Sequence, residues 1–92
     1  MTIFSKDFIK DPNAIKDYTI EGADYLGTDT FLTQTWSVPS GITKVTDSIT
    51  NSSQNLVVWF SGGTAGTDYD CYVTFTTTNG VTDRAMLKIK VR

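Results

Sequence analysis

An all-β sandwich is the fold class this sequence predicts, and three observations predict it. The runs Leu56-Val58-Phe60 and Tyr69-Cys71-Val73-Phe75 place apolar side chains at every second position, the period of a half-buried strand. Turn signals rich in Gly, Pro, Asn and Ser recur about every eight to twelve residues, the spacing of short strands in a sandwich. Tyr69-Asp70-Cys71 has the spacing of a tyrosine corner, in which a phenol bonds the backbone a few residues upstream and starts a core strand. The expected architecture is an immunoglobulin-like antiparallel β-sandwich of about seven short strands with an N-terminal arm.

A chain of 92 residues makes one domain with a thin core. Residues 1–16 read as the arm and residues 17–92 as the sandwich. Eight basic and ten acidic side chains give a formal charge of −2, too small and too dispersed to recruit nucleic acid or an acidic membrane surface. The single Cys71 cannot form an intrachain disulfide, and its place among alternating apolar residues marks an inert core thiol. No apolar run is long enough to span a membrane and the N-terminus lacks a signal-peptide core, so the expectation is a protein made and kept in a cytoplasm until assembled or released.

Taken in order, the arm carries Ile3, Phe4, Phe8 and Ile9 without strand-long alternation, and Asp11-Pro12-Asn13 is a turn or helix-start signal. Such an arm either folds back over a sheet edge or docks on a neighbouring subunit. Asp17–Glu21 is a first strand with Tyr18 and Ile20 on one face, and Tyr25 and Leu26 cap one end of the sandwich. Thr28–Val38 is the second, with Leu32, Trp36 and Val38 on the core face and Trp36 at its centre. Pro39-Ser40-Gly41 ends it, since proline cannot donate to a ladder and glycine permits the turn.

Ile42–Thr50 is a more polar strand whose Ile42, Val45 and Ile49 fall out of simple register, as a bulge or an edge position requires. A polar turn over Asn51–Asn55 leads into Leu56–Thr77, which reads as two strands paired through the glycine-rich Ser61–Thr67 connection. Asn79-Gly80 is a strong hairpin signal, and after it Ala85, Leu87, Ile89 and Val91 point inward while Arg84, Met86, Lys88, Lys90 and Arg92 point outward.

Chemistry is scarce. Without histidine, neither a Ser-His-Asp nor a Cys-His arrangement can be built. The loop carboxylates Asp24, Asp29, Asp47, Asp68, Asp70 and Asp83 have neither the cleft of a glycosidase nor the spacing of an EF-hand, and the SGGTAGT segment lacks the Gly-Lys-Ser/Thr ending of a phosphate loop. No catalytic, cofactor-binding or metal-ligating residue is therefore expected. One pattern points to binding: if the two central strands pair, Trp59 and Tyr72 come close on an outer face, and these residue types are enriched at interface hot spots. The alternative is that the arm covers them within one chain.

Several segments together resemble a family of small structural proteins of tailed bacteriophages, labelled fibre-tail adaptors or found among head and neck genes. They are Asp11-Pro12-Asn13-Ala14 with Asp17-Tyr18-Thr19; Leu26 with Asp29-Thr30; Thr35–Gly41; Val58–Thr67; and Thr82-Asp83-Arg84 leading to Ile89–Arg92. The most specific is SGGTAGT after a Val-Trp pair. In that family tryptophans often occupy the connection where this chain has Asp24-Tyr25. The resemblance implies a non-enzymatic virion protein that joins fibres to the tail or neck, with other virion proteins (tail, neck, fibre or capsid subunits) as partners. The expected interface residues are Phe4, Phe8, Ile9, Trp59 and Tyr72. A capsid decoration protein is the alternative within that class and predicts self-association. A carbohydrate or host-surface binding module is the alternative outside it.

Overall fold

The computed structural model describes residues 2–92, with side chains from residue 5 onward. Its seven strands form two sheets around one core: β1 (Thr2–Lys10), β2 (Lys16–Glu21), β3 (Phe31–Ser37), β4 (Ile42–Thr50), β5 (Asn55–Gly62), β6 (Asp68–Thr77) and β7 (Thr82–Val91). A single turn of helix, α1 (Ala23–Leu26), stands between β2 and β3. One sheet has the order β1-β7-β6-β3 and the other β2-β5-β4.

The core is built by strand alternation. From one sheet Cys71, Val73, Phe75, Ala85, Leu87, Ile89 and Val91 point inward; from the other Tyr18, Ile20, Leu56, Val58 and Phe60 meet them, all buried. Phe60 and Phe75 are among its largest apolar members, and complete burial of such a side chain contributes roughly 1.5–3 kcal/mol. Leu26 of α1 is buried and closes one end, where the Tyr25 ring stands edge-on to Phe75.

The segment read as an arm lies along a sheet edge. Its β1 pairs with β7 in parallel, from Ser5 opposite Met86 to Lys10 opposite Val91, while every other strand pair is antiparallel. Alternation was hidden there because lysines stand at the inward positions on either side of Phe8. Lys6 leaves its ammonium 5.9 Å from the Phe8 ring centre, and Lys10 is buried, its Nζ donating to the carbonyl oxygens of Gly62 at 2.7 Å and Asp11 at 2.9 Å.

The central expectation needs correction: β5 and β6 do not pair. They belong to opposite sheets, and Gly63–Thr67 carries the chain across the core. Two strands facing each other across a core show the same alternation as two strands side by side, so the pattern cannot separate the arrangements. The tyrosine corner makes the crossing, with the Thr64 N–H donating to the Tyr69 hydroxyl at 3.0 Å. Gly63, at φ +99°, is required there: a Cβ on it would lie 2.7 Å from Val91 Cγ2.

Strand β3 also departs from expectation. A bulge between Phe31 and Thr33 turns Phe31 into the core and leaves Leu32 61% exposed, reversing their predicted parity. Because β3 is an edge strand, Trp36 is only partly buried; it packs edge-on against Phe60 at 6.0 Å between ring centres and is not the centre of the core. In β4 the expected edge position and bulge both occur, the bulge lying between Lys44 and Thr46.

Candidate docking surfaces

The two outer sheet faces differ in chemistry. On the four-stranded sheet the outward positions of β6 meet opposite charges: Asp70 pairs across the ladder with Lys88 of β7 at 3.9 Å, and Asp68 with Arg92, the residue after β7, at 3.0 Å. Asp7 of β1 reaches Lys90 at 3.2 Å. These pairs are solvated and each contributes little to stability. Tyr72 is half-buried among them, its ring covered by the Arg84 guanidinium 4.5 Å from the centroid. Ile9 is 69% exposed on the same face, opposite Lys90.

On the three-stranded sheet, Trp59 occupies the outward face of the middle strand, 38% exposed, with Asp17 and Thr46 as its cross-strand neighbours. Val57 lies two residues away on the same side, and Val45 is exposed at the β4 bulge. No part of β1 covers this face, because β1 is committed to β7 in the other sheet.

Trp59 and Tyr72 are therefore not brought together, and the shared patch expected of them is corrected: they stand on opposite sides of the molecule, since β5 and β6 are in different sheets. Phe8 points inward and packs against Tyr18, with ring centres 4.9 Å apart. The Phe4 side chain lies outside the described residues.

A groove of about 560 Å³ separates β1 from β2, a region to which sequence reasoning assigned no site beyond Phe8 and Ile9. Phe8 and Ile9 line it from β1 and Asp17 to Thr19 and Glu21 from β2. Tyr18 is buried there, and its hydroxyl is the one buried side-chain polar atom without a hydrogen-bond partner among the described residues. Burial, and secondly the Asp17 charge, hold that phenol above its ordinary pKa.

The far end of the sandwich is knitted by polar groups with structural duties. Asp29 Oδ1 accepts the backbone N–H groups of Thr30 at 2.8 Å and Asn79 at 3.1 Å, and a hydrogen bond from Thr77 is the largest influence holding its carboxyl below the usual range. Gln54 Nε2 donates to the carbonyls of Gly27 and Asp29, and the Tyr25 hydroxyl meets Asp83 at 3.0 Å. Among the described residues no group of three or more Cys, Asp or Glu converges as a metal site. No helix among the described residues is long and apolar enough to cross a membrane.

The arrangement defines a class: a small all-β sandwich that presents two unlike sheet faces and four strand edges. The chain belongs to the podophage GP4 fiber-tail adaptor protein gp77 family, whose sequence model matches residues 10–90. That match begins at the last residue of β1, spans both sheets, and makes the chain a phage structural adaptor. No curated protein matches it.

Proposed function

We propose that this chain joins a fibre to the tail or neck of a virion through protein-protein contacts alone, without turnover. The observation that carries this reading is the placement of Trp59 and Tyr72 on opposite outer faces, which suits a piece gripped from two sides. Trp59, with Val57 and Val45 beside it, is the anchor of one contact, buried there as hot-spot tryptophans are. Tyr72 and Ile9 supply the second, set in a mosaic of opposite charges that favours an oriented partner. Phe4 and Phe8 contribute through β1, Phe8 by fixing the edge on which that contact ends. Many copies on a symmetric scaffold would multiply a modest single contact.

Cryo-electron microscopy of the intact virion, at a resolution that shows side chains, tests the reading. Density for this chain between fibre and tail or neck, with Trp59 covered, is the expected result. Density over the capsid lattice would replace the adaptor with a decoration protein, and absence from purified virions would remove both.

A further inference from the structure

Four strands form the edges of the two sheets: β1 and β3 in one, β2 and β4 in the other. Three of them carry a register break that spoils pairing with a further strand, at Thr2/Ser5 in β1, Phe31/Thr33 in β3 and Lys44/Thr46 in β4. On β4 the Lys44–Asp47 ion pair of 2.6 Å adds charge along the edge, and on β1 the buried Lys10 holds an inward position. Strand β2 carries charge at Lys16, Asp17 and Glu21 but, alone among the four edges, keeps an unbroken register. Its six residues pair with β5 one for one, from Lys16 opposite Phe60 to Glu21 opposite Asn55.

We infer that the free edge of β2 accepts an extended segment of a neighbouring virion protein as a fourth strand of the smaller sheet, an inference that rests on the adaptor reading for the partner's source. The space is present: the groove between β1 and β2 holds about 560 Å³. The chemistry of the occupant follows from the alternation of β2. Toward the core, Tyr18 and Ile20 of β2 are buried and Phe8 of β1 packs on Tyr18, so the inward neighbours of a guest strand are apolar and every second side chain of the guest is aliphatic. Toward solvent, Asp17 and Glu21 have no ion-pair partner among the described residues, so the intervening side chains are lysine or arginine. Lys16 and Lys6 also line the groove, which confines the guest's basic residues to the register that faces Asp17 and Glu21. Main-chain hydrogen bonds to the edge give affinity, and the two alternating faces give specificity.

The test is a titration of the full chain with a capped peptide of about eight residues alternating valine and lysine, followed by amide NMR. Residues 16–21 are expected to shift and gain protection from exchange, and N-methylation of alternate peptide amides is expected to abolish binding in one of its two phases. Reversing both charges, Asp17→Lys with Glu21→Lys, is expected to weaken the lysine peptide about tenfold or more and to transfer preference to a valine-glutamate peptide. An unchanged melting temperature of that variant separates lost binding from lost folding. Shifts that avoid β2, indifference to N-methylation in both phases, or indifference to charge reversal would each overturn the inference. Finding the chain outside the tail and neck would end the adaptor reading while leaving the peptide result to stand or fall by itself.

Discussion

Tyr18 and Cys71 are both buried, and each sets a different test of the core. The Tyr18 hydroxyl is desolvated without a partner, so Tyr18→Phe removes a polar group that gains nothing from folding. Chemical denaturation is expected to find that variant as stable as the parent or up to about 1 kcal/mol more stable. For Cys71, burial first and the Asp70 charge second push the thiol up to about 12 from an ordinary 9.0. The sign follows directly: the folded state holds the proton longer than the unfolded one, so stability is full below pH 9.0 and declines as pH rises towards 12. Thiol titration with an alkylating reagent at neutral pH should detect no reaction until the chain unfolds, and Cys71→Ala should flatten the alkaline decline. The burial of Cys71 was legible from its alternating neighbours. Lys10 was not, because a buried lysine follows from two carbonyls, of Gly62 and Asp11, that only the folded chain brings within reach.

Among the elements, the corner that starts β6 was the most legible and the pairing of β5 with β6 the least. The corner is local: Tyr69, Thr64 and the glycines between sheets lie within a few residues, and their types encode the contact. Gly63→Ala is expected to cost more than 2 kcal/mol, since it combines φ +99° with a Cβ 2.7 Å from Val91, and a denaturant midpoint measures it. Tyr69→Phe should lower the melting temperature by several degrees, without the collapse expected at Gly63. Pairing is not local. Alternation in β5 and β6 reports only that each has a buried side, and both partners across a ladder and partners across a core satisfy it. The bulge at Phe31/Thr33 was illegible for a related reason: an extra residue exchanges the faces of everything beyond it. The β4 bulge announced itself because its apolar residues were already out of step.

At the scale of the molecule, the two sheets and their common core were legible, and the outer faces on which Trp59 and Tyr72 stand were not, since they depend on which sheet each strand joins. The same dependence makes the first strand more than an appendage. Deleting residues 1–10 would bare the β7 edge from Arg84 to Val91, uncover Tyr18 by removing Phe8, and free the Gly62 carbonyl. The expected product melts at a lower temperature and self-associates through that edge, which size-exclusion chromatography with thermal unfolding would detect. The parallel β1 ladder also sets a clock. Phe8 leaves the ribosome long before Ile89, its partner, has been translated. Until then β1 has no neighbour to hold it, and the larger sheet lacks the strand that joins β1 to β6. Its completion is thus a late event that waits on the end of this stretch of chain, and pairing so distant in sequence is slow. During that wait the nascent protein displays a sticky, unpaired segment, the interval in which a chaperone or an assembling neighbour has the best access to it.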